Sequence, residues 1–274
     1  MTWAGSLRRL ESCQAARPRA APLLAGGPPA SLLLVHGAGS GPWVFRGWAQ
    51  AFPGIKVVTV DLHAGSDIAR ASHGDYADRV ARAAQALPLP VSLCGWSMGG
   101  LVVLQASQQV SPHSVILLEP SPPAEVQGIN PAVEIKNGTL DPEQIYGPFP
   151  PGMRSRPESS RARAERKRGI SVPSLPCPSL VVYDDDYLEH RGTRIACLYD
   201  SHELHFPGVS HWGLVRSPPV RAAIARCLLS GPSPSLRYRA DDDRDCRVRP
   251  GRHAGGRRAR LREGRVRAGG RLRD

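Results

Sequence analysis

Between residues 31 and 236 the chain alternates short apolar runs with longer stretches whose apolar residues recur every three or four positions. "SLLLVHG", "KVVTVDL", "VSLCG", "SVILLEP" and "PSLVVYD" are near-continuous apolar runs of strand length, a pattern that suits strands buried on both faces. "ELHF" predicts a further short strand. A helix is expected from Pro42 through "WVFRGWAQAF". In "DYADRVARAAQAL", from Asp75, the spacing sets Val80, Ala83, Ala84 and Leu87 on one helical face. "GLVVLQASQQV", "RGTRIACLY" and "PPVRAAIARCLL" predict three more helices, the last with proline at its start. Strands separated by helices require parallel crossovers, so the expected fold is a three-layer α/β sandwich around a central, mostly parallel sheet. Residues 121–176 break the alternation. Rich in Pro and Gly, with "YGPFPPGM" at their centre, they predict a small cap-like insertion over the carboxyl ends of the strands, where ligands bind in such sheets.

Composition sharpens these boundaries. With 274 residues, 41% of them hydrophobic, the chain can bury a sizeable core. Residues 1–30 are Pro- and Gly-rich and read as a loose leader, without an apolar stretch long enough for a signal peptide or a membrane span. The formal net charge is +12, a value that ordinarily points to nucleic acid or an anionic surface. Its location argues otherwise. Residues 237–274 hold fourteen Arg against six Asp or Glu, which is +8 and leaves +4 for the rest. This tail has too little apolar surface to offset its ordering entropy and is expected to be disordered. Tyr238 is its one aromatic residue, so base stacking has little to work with and no nucleic-acid partner is expected. An extension without function remains open, and thirty-three Arg against three Lys fits a GC-rich gene read out of frame there. The six cysteines form no C-x-x-C pair and no metal spacing, so free thiols in a cytoplasmic protein are expected.

Chemistry concentrates at the strand ends. Gly95-Trp96-Ser97-Met98-Gly99 is a G-x-S-x-G pattern that follows an apolar strand and opens a helix. By itself the pattern is weak, and a small-residue turn explains it too; the strand-to-helix setting is what points to a nucleophile. A serine hydroxyl needs a base to take its proton. Of nine histidines, His211 in "HFPGVSHWGLV" lies between the last short strand and the last helix, at the same sheet edge as Ser97. An orienting carboxylate is expected between the two in sequence. "LVVYDDDYLEH" offers Asp186 first and Asp185 second, although three adjacent aspartates often form a solvated turn. Glu119, which ends "SVILLEP", is the rival. The tetrahedral oxyanion of acyl transfer needs N–H donors, for which Met98 and Ala38 are the candidates, the latter in "HGAGSGPW".

Together, "LLLVHGAGSGPW", "SLCGWSMGG", the acidic end of "SLVVYDDD" and "HFPGVSHWGLV" resemble the α/β-hydrolase family, in its order and across residues 31–230. The resemblance implies Ser97 as nucleophile, His211 as general base and then acid, and Ala38 and Met98 as oxyanion donors. The family's usual first strand pair has no counterpart in residues 1–30. The function expected is hydrolysis of a small-molecule ester or thioester through an acyl-enzyme, without metal or organic cofactor. The same scaffold also hosts lyases, haloperoxidase-like enzymes, acyltransferases and non-catalytic binding proteins. Trp43, Phe45, Trp96, Tyr146, Phe149 and Trp212 are candidates to line an apolar acyl pocket, or are simply core. "RSRPESSRARAERKR" has seven basic residues against two acidic, which fits either an anionic substrate such as a CoA thioester or the wet face of a helix. Oligomeric state is not legible.

Overall fold

Six strands form the main sheet: β1 (Ser31–Val35), β2 (Lys56–Val60), β3 (Val91–Trp96), β4 (Val115–Leu118), β5 (Ser179–Tyr183) and β6 (His202–His205). Their order is β2-β1-β3-β4-β5-β6, and every neighbouring pair is parallel. The computed structural model describes residues 27–187 and 191–230. The leader (save residues 27–30) and the tail thus lie outside the described residues.

Both faces of the sheet are covered, as the unbroken apolar runs require. Leu33, Val35, Leu93, Val115, Leu117 and Val181 point to one face, where α1 (His73–Gln85) and α2 (Met98–Ala106) pack. Leu32, Leu34, Cys94, Ile116, Leu118 and Val182 point to the other, against the helices Gly213–Arg216 and Pro218–Ser230. The period of two is what splits the strands between two cores. α1 begins at a capping box: the Ser72 hydroxyl accepts from the Asp75 N–H, and the Asp75 carboxylate accepts from the Ser72 N–H.

Two expectations need correction. β2 is an edge strand with much of its length exposed, because the chain leaves β1 outward and returns on the far side to make β3. The helix expected after Pro42 is two short 3-10 turns, Pro42–Phe45 and Ala49–Ala51, separated by Gly47 at φ 83°. The cysteines also depart in part from expectation: Cys94, Cys177 and Cys227 are free thiols, whereas Cys197 is disulfide-bonded.

Within residues 121–176 lie the short ladder Thr139–Leu140/Glu158–Ser159 and the helix α3 (Ser160–Arg168). A nearly buried ion pair joins parts of this segment to one another. Arg166 donates to Glu158 at 2.8 Å, to the Tyr146 hydroxyl at 3.0 Å and to Ser121 Oγ at 3.0 Å. Removing one partner of such a pair strands the other charge out of water. Arg166→Ala should therefore lower the unfolding free energy by about 3–5 kcal/mol in a urea titration. The double variant Arg166→Met/Glu158→Leu should lose much less, and equal losses would contradict this account.

Candidate active site

The sheet's register builds the site. Val35 pairs with Gly95, Trp96 with Leu118, and Leu118 with Val182. Continued past the strand ends, this register sets Gly37 beside Ser97, Ser97 beside Glu119 and Glu119 beside Tyr183, so that Gly37, Ser97, Glu119 and, one residue after Tyr183, Asp184 lie along the carboxyl edge. This edge includes the switch point between β1 and β3, where the chain has crossed over and where open α/β sheets hold ligands.

Ser97 sits at φ 56°, ψ −122°, a conformation that non-glycine residues seldom adopt. Its N–H donates to the Leu118 carbonyl at 3.0 Å, and its carbonyl accepts from Gly100 and Ser121. The flanking glycines are required by close backbone approach. A Cβ on Gly95 would lie 2.3 Å from the Gly99 carbonyl oxygen, and one on Gly99 would lie 2.3 Å from that of Val35. Local strain of this kind costs on the order of 1–3 kcal/mol and persists where surrounding contacts overdetermine it.

His211 stands beside the turn. Its ring packs on Trp96 with centroids 4.8 Å apart, and the Trp96 indole N–H donates to the His211 carbonyl at 3.1 Å. Among the described residues no hydrogen bond joins Ser97 Oγ to His211.

The carboxylate that meets His211 is Glu119, through Nδ1. Glu119 is 4% exposed and has φ 40°, so two of the three described non-glycine residues with positive φ are Ser97 and Glu119. Its other oxygen accepts from the Asp184 N–H at 2.9 Å. Burial raises the Glu119 carboxyl, but the His211 and Asp184 hydrogen bonds outweigh it, and the net shift is downward. Asp185, by contrast, pairs with His205 at 2.8 Å and accepts from the Gly208 N–H, and Asp186 is exposed. The structure thus brings Glu119 to His211 and leaves Asp185 and Asp186 on the surface. One signal for this was in the sequence: a lone acid ending a fully apolar strand must find a partner, whereas an aspartate triplet can remain in water.

Asp184 is the buried member of that triplet. Burial, then the hydrogen bond and charge of Glu119, push its carboxyl up from 3.8 to about 6. A group raised in this way favours the folded state below its ordinary pKa, and that contribution is lost as pH rises to about 6. His63 and His73, each lowered by burial to about 4, act in the opposite sense over an overlapping window. A difference measurement cancels them. The melting temperature of Asp184→Asn minus that of wild type should increase from pH 4 to about 6 and then level. A flat difference would contradict the assignment.

The two candidate oxyanion donors, the N–H groups of Ala38 and Met98, lie in the turn after β1 and at the start of α2. The Met98 N–H belongs to the first helical turn, whose N–H groups lack partners within the helix. The Ala38 N–H shares its peptide plane with the Gly37 carbonyl, so whatever holds one fixes the other. His36 Nδ1 donates to that carbonyl at 2.9 Å and Ser40 Oγ at 2.8 Å, while His36 Nε2 accepts from the Leu62 N–H.

Aromatic rings close one side. Trp96, Trp212 and Phe149 form consecutive contacts at 4.7 and 4.9 Å between centroids, and Phe149 also abuts Gly39. Phe45 is core, packed on Trp48, and Tyr146 joins the Arg166 network. Of the seven basic residues in 154–168, three are ion-paired: Arg156 with Asp61, Arg161 with Glu165, and Arg166 with Glu158. Among the described residues no helix is long and apolar enough to cross a membrane.

A family model described as "Alpha/beta hydrolase family" matches residues 32–249. No curated protein matches the chain. Among solved structures, the type II thioesterase BorB from the borrelidin biosynthetic cluster is 16% identical, with 77% of this chain and 95% of that one covered at a TM-score of 0.52. A lipase-esterase related protein from Clostridium acetobutylicum is 17% identical, with 72% and 91% covered at 0.51. The RedJ thioesterase of Streptomyces coelicolor is 18% identical, with 78% and 94% covered at 0.50. At such identities the likeness concerns the fold, a mostly parallel sheet between helices.

Proposed function

Because the chain belongs to the alpha/beta hydrolase family, we propose that it hydrolyses an ester or thioester by two-step acyl transfer, with residues 121–176 as a cap over the site. Ser97 Oγ attacks the carbonyl carbon while His211 Nε2 takes its proton. Glu119, accepting from His211 Nδ1–H, holds the ring in the required tautomer and offsets the imidazolium charge. The N–H groups of Ala38 and Met98 receive the oxyanion. His211 then protonates the departing alcohol or thiol. Water, activated by the same imidazole, releases the acid from Ser97. The Trp96, Trp212 and Phe149 rings are suited to an apolar acyl group.

The observation that carries this reading is the Glu119–His211 contact, made beside a serine held in a left-handed turn. A fluorophosphonate probe tests it, since it reacts only with an activated serine. The full chain should be labelled with one equivalent, and Ser97→Ala should not. A folded protein that takes no label favours a non-catalytic binding protein, and a labelled Ser97→Ala moves the nucleophile elsewhere.

A further inference from the structure

The turn that carries Ala38 is not held by its own main chain alone. Gly37, Gly39 and Gly41 alternate through it, Gly39 at φ 64°, and a glycine-rich turn has many conformations to lose. Contacts from residues 139–158 reach the turn and the residues beside it. The Arg156 N–H donates to the Gly39 carbonyl at 2.8 Å. The Arg156 guanidinium lies over the Trp43 ring, 5.4 Å from its centroid, and donates to Asp61 at 2.9 Å. Pro142 fills the space beside Gly39, where a Cβ would come within 2.3 Å of it. Asp61 in turn lies at the end of β2, its carboxylate 3.8 Å from His36 Nε2, and His36 is a residue that holds the Gly37–Ala38 peptide.

On the reading above, we propose that Arg156 is a positioning residue: it clamps the Gly37–Ser40 turn between the cap and Asp61, so that the Ala38 N–H is aimed at the oxyanion only while the cap is seated. The main body supplies the donor, and the cap fixes its direction. This makes the cap part of the chemistry as well as of substrate selection. It also accounts for a partly buried Arg–Asp pair joining two segments ninety-five residues apart.

The test uses the full chain with Arg156→Met, Asp61→Asn and both together. Arg156→Met keeps the backbone N–H and removes the guanidinium. Complete loss of an oxyanion donor costs about 10²–10³ in turnover, so a loosened one should lower kcat by roughly 10–100-fold with KM little changed. Affinity for phenyl trifluoromethyl ketone, whose serine adduct carries an oxyanion, should fall in step with kcat. The double variant should be no worse than the poorer single by more than about twofold, because both break one contact. Arg156→Lys should restore part of the loss. Independently of any substrate, amide exchange across residues 37–44 should quicken by about tenfold in Arg156→Met. Unchanged exchange, or kcat and ketone affinity near wild type in a folded Arg156→Met, overturns the clamp. If the wild type turns over no ester while exchange quickens as stated, the clamp stands and the hydrolase reading fails.

Discussion

Changing Glu119 to Gln should lower kcat/KM for p-nitrophenyl ester hydrolysis by about 10³–10⁴, while Asp185→Asn and Asp186→Asn stay within about threefold of wild type. Gln keeps the shape of Glu119 and can still accept from the Asp184 N–H. What changes is the oxygen facing His211, which becomes an NH₂ donor. The imidazole must then offer a lone pair at Nδ1 and carry its proton on Nε2, the nitrogen needed as base. The loss should therefore appear in kcat. Asp185 and Asp186 are exposed, and Asp185 is engaged with His205, so neutralising them leaves the His211 tautomer alone. Steady-state kinetics of the three variants checks this, and a large loss at Asp186 with a small one at Glu119 would reverse the roles.

Gly99→Ala should destabilise the protein by at least about 3 kcal/mol, and Gly99→Val should prevent folding. Helix propensity alone predicts the reverse, a gain of about 1 kcal/mol when Gly becomes Ala inside a helix. Sterics decide the sign. A Cβ at Gly99 meets the carbonyl oxygens of Val35 and His36 at 2.3 and 2.4 Å, main-chain atoms at the end of β1 that cannot turn aside. Gly74 in α1 provides the control, because its nearest neighbour would be Ser72 Oγ at 3.6 Å, an ordinary contact. Gly74→Ala should be neutral or slightly stabilising. Thermal unfolding of the pair measures both, and similar melting temperatures for the two alanine variants would contradict the packing argument.

The fold was legible because four of its strands are buried on both faces and α1 carries a clear apolar stripe. These are local patterns, and Ser31–Val35, Val91–Trp96 and Val115–Leu118 follow them closely. The position of β2 was less legible, since "KVVTVDL" is as apolar as a central strand and nothing local records which neighbour is missing. Ser97 and His211 announced themselves through the turn motif and the last loop. The partner of His211 did not, because it depends on register between strands that are distant in sequence. Leu118 opposite Val182 brings Glu119 to the site and turns Asp184 toward it, and no motif encodes that pairing. Chain order favours an acid after "SLVVY"; burial of a lone carboxyl after "SVILL" favours Glu119. The Arg156 clamp was hidden for the same reason: in sequence it belongs to a basic run, and only the folded chain sets it against Asp61 and the Gly39 carbonyl.

The most direct measurement is the rate at which the fluorophosphonate phosphonylates position 97, followed by intact mass and peptide mapping, in wild type and in His211→Gln. If the imidazole draws the proton from this hydroxyl, His211→Gln should react at least about 10³-fold more slowly, with the residual label still on Ser97. Equal rates in the two proteins, or a label carried by another residue, would contradict the account.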